Sequence, residues 1–214
     1  MPQQRQGSAS FSPAGRKKIQ GNFYDYHNNG NIHQHSIFKD NERNGVCELT
    51  FENGNQEMKC YYVNGKRTGS YVRRYENGEL QCECEFLNDE KHGEYKYYYE
   101  SGKLRVHCYF DNGSRVGLFE SFYENEQLER MYSVVDNELE GESIDYHENG
   151  KKREQCVYKK GKIIGDYVLY HENGKVQTER HYNDDGHLNG VEVEYDEEEN
   201  EIGRWIYENG IRIG

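Results

Sequence analysis

The sequence predicts an all-β protein, an elongated single-sheet antiparallel meander of about eight β-hairpin repeats. Three observations predict it. Gly21, Gly45, Gly69, Gly93, Gly117, Gly141 and Gly165 are spaced by 24 residues, and Gly190 follows one residue late. Nine residues after most of them comes a turn signal: Asn29-Gly30, Asn53-Gly54, Asn77-Gly78, Ser101-Gly102, Asn149-Gly150 and Asn173-Gly174. Both prolines, Pro2 and Pro13, precede the first repeat, as uninterrupted strand ladders require. A strict period in this range marks a repeat array with an extended binding surface.

With the recurrent glycine as position 1, the third repeat reads Gly69 to Gly78 and then Glu79 to Asn88. That is a strand of about eight residues, a tight Glu-Asn-Gly turn, a second strand of similar length and a second turn. Asn-Gly between alternating apolar residues is a strong hairpin signal. Alternation assigns the faces. Positions 3, 5 and 7 (Tyr71/Arg73/Tyr75, Tyr95/Tyr97/Tyr99, Phe119/Ser121/Tyr123, Tyr167/Leu169/His171) share one side with positions 12, 14, 16 and 18 (Leu80/Cys82/Cys84/Phe86). The other face reads Arg74/Glu76, Lys96/Glu100 and Gln81/Glu83/Glu85. One aromatic face and one charged face describe a half-covered antiparallel sheet. Two repeats depart from the pattern. Glu126 stands where a turn glycine is expected, and the run Asp196 to Glu199 replaces the last turn and adds a residue. Both are candidate sites of a bulge or bend.

Residues 1–20 read as a disordered basic arm and residues 21–214 as the array. The arm holds Arg5, Arg16, Lys17 and Lys18 and no acid, so a net charge of −12 for the chain leaves −16 on the repeats. That balance excludes a nucleic-acid-binding body and suits a basic protein partner. No apolar run spans a bilayer and no secretory leader is visible, which places the chain in the cytoplasm.

The pattern Gly-x-Tyr-x-x-Tyr-Tyr-Glu-Asn-Gly-Lys-Leu, followed by an aromatic residue and Asn-Gly-Lys, resembles the MORN repeat. It is similar above all to the MORN variant of bacterial and viral arrays, some of them antitoxin-like. Gly93 to Gly113 and Gly165 to Lys175 match best, and the resemblance covers residues 21 to about 214. It implies stacked hairpins in a curved sheet with an aromatic groove, a surface used for dimerisation, protein scaffolding and, by some proposals, lipid contact.

Cys60, Cys84, Cys108 and Cys156 share position 16, with Cys82 at position 14 and Cys47 at position 3. All six fall on the apolar face and read as small hydrophobes filling a core column. Equivalent positions in successive hairpins lie two strands apart, roughly 9–10 Å, beyond disulfide reach. His27, His147 and His171 take position 7, where other repeats carry tyrosine. No zinc spacing, phosphate loop or nucleophile motif is present, so neither a catalytic residue, a metal nor a cofactor is expected.

A single-layer sheet leaves its aromatic face open unless it curls on itself or another chain covers it. The expected function is therefore a non-enzymatic scaffold. Its aromatic groove, Tyr71, Tyr75, Tyr95, Tyr97, Tyr99, Phe119, Tyr123 and Tyr167, would take a partner protein or a second copy of the chain. Glu194, Asp196, Glu197, Glu198 and Glu199 form a candidate acidic docking site in the stretch that begins at Glu192. An inhibitor of a basic toxin is one alternative. A membrane-surface tether through Arg16, Lys17 and Lys18 is another, disfavoured by the acidic body.

Overall fold

The computed structural model describes residues 6–11 and 17–214. Their regular structure is entirely β, and every strand pairing recorded is antiparallel, between strands close in sequence. The chain forms two compact units: the described residues up to Leu104 with Phe110–Ser114, and Arg105–Tyr109 with Arg115–Gly214.

In the first unit the ladder runs through Gln6–Phe11, Lys17–Tyr26, Ile32–Lys39, Glu42–Thr50, Gln56–Val63, Gly69–Arg74, Leu80–Leu87 and Glu90–Tyr98. In the second it includes Leu128–Val135, Gly141–Tyr146, Lys152–Lys159, Lys162–Tyr170, Val176–Tyr182, Gly190–Tyr195 and Glu201–Glu208. Pairing begins earlier than the repeat period alone indicates. Gln6–Phe11 lies against Lys17–Tyr26, with Phe11 opposite Lys17, inside the segment expected as an arm. The rest of that segment, residues 1–5 and 12–16, lies outside the described residues.

Two kinds of turn alternate. Between repeats, pairs such as Asn64-Gly65 (φ 48° and 80°) and Asn88-Asp89 (53° and 76°) place both residues in the left-handed region, the tight turn whose twist matches paired strands. Within a repeat, the Tyr75 carbonyl accepts the Gly78 N–H at 3.0 Å, and Tyr75 N–H donates to the Glu79 carbonyl at 2.9 Å. The irregular repeats keep this geometry. Glu126 donates to the Tyr123 carbonyl at 2.9 Å with φ 71°, and Glu199 to the Asp196 carbonyl at 3.0 Å with φ 71°. Both hairpins carry the expected bulge beside the turn, between Ser121 and Phe122 and between Glu194 and Tyr195, as the regular repeats do. The residue added to the period sits instead in the Asn183–Asn189 connection, closed by Gly186 N–H on the Asn183 carbonyl.

The conserved spacing also fixes bonds between repeats. The turn asparagine at position 9 accepts the N–H two residues on and donates its amide to a carbonyl of the next turn: Asn77 to Glu100 at 2.9 Å, Asn149 to Glu172 at 2.7 Å. Position 7 does likewise. Tyr75 Oη donates to the Tyr98 carbonyl at 2.8 Å and Tyr123 Oη to the Tyr146 carbonyl at 2.7 Å. His27, His147 and His171 reach the equivalent carbonyls with Nε2 at 2.7–2.9 Å, so imidazole and phenol are interchangeable donors here.

Candidate partner-binding face

The face is built from two rows of directly opposed residues. In the first unit one row runs Tyr71, Cys84, Tyr95 and the next Arg73, Cys82, Tyr97. Short cysteines between long tyrosines leave a hollow of about 410 Å³, floored by Cys82 and Cys84 and walled by Tyr71, Tyr95, Tyr97 and Phe86. The rings lock one another: Tyr71 meets Phe86 edge-on at 5.4 Å, and Tyr95 meets Phe110 at 5.6 Å. Burial pushes the Cys84 thiol up to about 11 and raises the Tyr71 phenol as well.

Cations close the rim, which the sequence reading missed. Arg67 lies over Phe86 at 4.2 Å, and Lys91 Nζ over Tyr95 at 4.2 Å and Phe110 at 5.0 Å. Arg73 completes the set, and among the described residues no carboxylate lines the hollow. The signal was present: Arg43, Arg67, Lys91 and Arg115 recur at the 24-residue spacing, two residues before the recurrent glycine. Two of the rim cations are also held by acids, Arg67 by Asp89 at 3.1 Å and Arg73 by Glu57 at 2.9 Å.

Gln81 is a correction. Alternation put it on the charged face, yet it lines the hollow. Arg73 pairs with Cys82 and Arg74 with Leu80, so Gln81 is the extra residue of a β-bulge. A bulge breaks the strict period of two. The same slip makes Glu57, Glu129 and Arg153 extra residues, and their side chains reach position 5: Glu57 to Arg73, Glu129 to Ser121 and Arg153 to Asp145.

Of the eight predicted ring positions, the hollow gathers Tyr71, Tyr95 and Tyr97. Tyr75 and Tyr99 stand at turn ends, both half-buried. The Tyr75 hydroxyl lies 3.3 Å from that of Tyr97, and burial pushes its ionisation up to about 12. Phe119, Tyr123 and Tyr167 belong to the second unit. Phe119 stacks on Tyr132 at 4.6 Å beneath Arg115, and Tyr167 meets Tyr182 edge-on at 6.1 Å. In the first two repeats of that unit position 5 is polar: Ser121 bonds Glu129, and the buried Asp145 binds Arg130 and Arg153.

The acidic stretch divides. Glu192 is buried against Arg180 at 2.5 Å, so it is no part of a solvated docking surface. Glu194 is half-buried in the ladder opposite Thr178. Asp196 is held by its own turn: its carboxylate accepts from Asn200 Nδ2 at 2.9 Å and from the Glu198 and Asn200 N–H groups. The Asn200 amide, followed by these backbone donors, holds its pKa below the usual carboxylate value. Glu197, Glu198 and Glu199 are exposed, with Lys175 3.3 Å from Glu199.

A family model described as the MORN repeat variant matches residues 67–88, 91–112, 139–160 and 164–184. The chain carries MORN-variant repeats. Two of the matched segments contain the cysteine floor and all four ring walls of the hollow. No curated protein matches the chain. MORN repeats are a non-enzymatic repeat type associated in general with protein and membrane interactions. No helix among the described residues is long and apolar enough to cross a membrane.

Proposed function

We propose that this MORN-repeat chain is a non-enzymatic scaffold that binds a protein partner through the ring-lined face of its first unit. The hollow of Tyr71, Tyr95, Tyr97 and Phe86 over a cysteine floor is the observation that carries the reading. Preformed aromatic walls bury large areas at low entropic cost, the property of binding hot spots. The rim of Arg67, Arg73 and Lys91 favours a partner segment that presents carboxylates at this point, whereas a basic partner would suit the exposed acids at Glu197–Glu199. Six free cysteines suit an intracellular setting.

The test is crosslinking and affinity purification of the tagged protein from its native cells, comparing wild type with Tyr97→Ser and Tyr99→Ser combined. The partner is expected to be lost while strand content by circular dichroism is unchanged. Full retention of the partner by a variant with native strand content overturns the proposal.

A further inference from the structure

Cys47 and Cys60 face one another across a single hairpin. The Glu42–Thr50 and Gln56–Val63 strands pair them directly. Directly opposite residues of an antiparallel pair have Cα atoms about 4.5–5.5 Å apart, with side chains on one face. That separation lies within the ~4.4–6.8 Å that a disulfide spans. The column argument, which compares position 16 of one repeat with position 16 of the next, does not apply, because this pair joins position 3 to position 16 inside one repeat. Cys82, Cys84 and Cys156 have no such partner: they stand opposite Arg73, Tyr71 and Ser143.

The surroundings single out one sulfur. Ser36 Oγ, itself fully buried, donates to Cys47 Sγ at 3.2 Å. Arg43 lies over the Tyr62 ring at 5.3 Å, its Nε is buried without an acceptor, and no carboxylate among the described residues pairs with it. Cys47 and Cys60 are both buried, 3% and 1% exposed; the neighbouring Cys60 thiol, then Ser36, Arg43 and His35, brings the Cys47 ionisation down to about 6 against the opposing effect of that burial. Burial drives Cys84 and Cys156 the other way, to about 11.

We propose that Cys47 and Cys60 form a reversible dithiol–disulfide site, oxidised by small-molecule disulfides of the glutathione class. The Cys47 thiolate attacks one sulfur of the oxidant, forming a mixed disulfide and releasing one thiolate. The Cys60 thiol gives up its proton, and its sulfur attacks Cys47 Sγ and expels the second thiolate. Two protein thiols are oxidised and one disulfide is reduced to two thiols, with the two protons taken up by the leaving groups. The product ties together the two strands of one hairpin in the first unit and leaves the other four thiols unoxidised.

The test uses the full chain, equilibrated in glutathione redox buffers from reducing to strongly oxidising. Samples are acid-quenched, alkylated after denaturation, and read by intact mass and non-reducing tryptic mapping. Trypsin cleaves after Lys59, so the two cysteines fall in separate peptides. The expected result is loss of two hydrogens, four alkyl labels in place of six, and a Cys47–Cys60 linked peptide. Cys60→Ser should trap one glutathione on Cys47, while Cys47→Ser should trap none on Cys60. Six labels at the most oxidising potential, or preferential linkage of any other pair, overturns the proposal. The wild-type titration decides the matter even if a serine variant fails to fold.

Discussion

Removing Asp145 should destabilise the second unit far more than removing another carboxylate that also grips an arginine with both oxygens. Asp145 accepts from Arg130 Nε at 2.8 Å, Arg130 Nη2 at 2.7 Å and Arg153 Nη2 at 2.7 Å. Glu201 grips Arg204 with a similar fork, at 2.8 and 2.7 Å. Burial separates them: the side chain is 8% exposed in Asp145 and 41% in Glu201. Hydrogen bonds to charged groups are worth about 1.5–3 kcal/mol each when shielded from water. The guanidinium groups around Asp145 are themselves 48% and 40% exposed and regain water when it is lost, so the three bonds together count for less than their sum. Asp145→Ala should therefore cost about 2–3 kcal/mol. Glu201→Ala should leave stability unchanged within error. Trp205, the only tryptophan of the chain, lies in the same unit, so its fluorescence in a urea titration reports the relevant transition. Equal losses in the two variants, or an Asp145→Ala protein as stable as wild type, would refute the argument that burial sets the value of these ion pairs.

Other expectations follow from single contacts. Tyr75→Phe deletes the bond to the Tyr98 carbonyl and should lower stability by about 1 kcal/mol in chemical denaturation; no change would mean that water replaces the hydroxyl at no cost. Lys160 occupies a left-handed turn position (φ 49°) that Asn64, Asn88 and Asn112 fill elsewhere, so Lys160→Asn should raise the urea midpoint by the equivalent of roughly 0.5 kcal/mol. Cys47 ionises near 6 in the folded chain, against about 8.5 for an ordinary thiol. A depressed acid adds stability that is complete above the unfolded value and is lost as pH falls through the folded one. Wild-type stability should thus rise more steeply than that of Cys47→Ser between pH 6 and 8.5, and parallel profiles would contradict the assignment.

The strands, the turns and the identity of the aromatic face were legible because each depends on local chemistry repeated every 24 residues. Gln81 was misassigned because parity counting assumes an unbroken period of two, and one bulged residue reverses it. The rim cations were overlooked because Arg67 and Lys91 sit next to a turn, where charge reads as solvation, while their stems lie across rings. The polar row of Ser121, Arg130 and Asp145 could be placed on the face from spacing, but its ion pairs depend on Arg153, another bulged residue. Glu126 and Glu199 hold their turns because the hydrogen bonds and neighbouring strands outweigh the local strain of a side chain at φ 71°.

The bonds made by Asn77 and Tyr75 have a direction: the donor lies in one repeat and the acceptor in the next. Such a connection works like a thread and socket cut at a fixed pitch. Insertion or removal of one whole period returns every donor to an equivalent carbonyl. A change of a few residues inside a hairpin misaligns both links at once. Variation in length among chains built this way should come in steps of a full repeat, with smaller changes confined to connections such as Asn183–Asn189, where one extra residue is already accommodated.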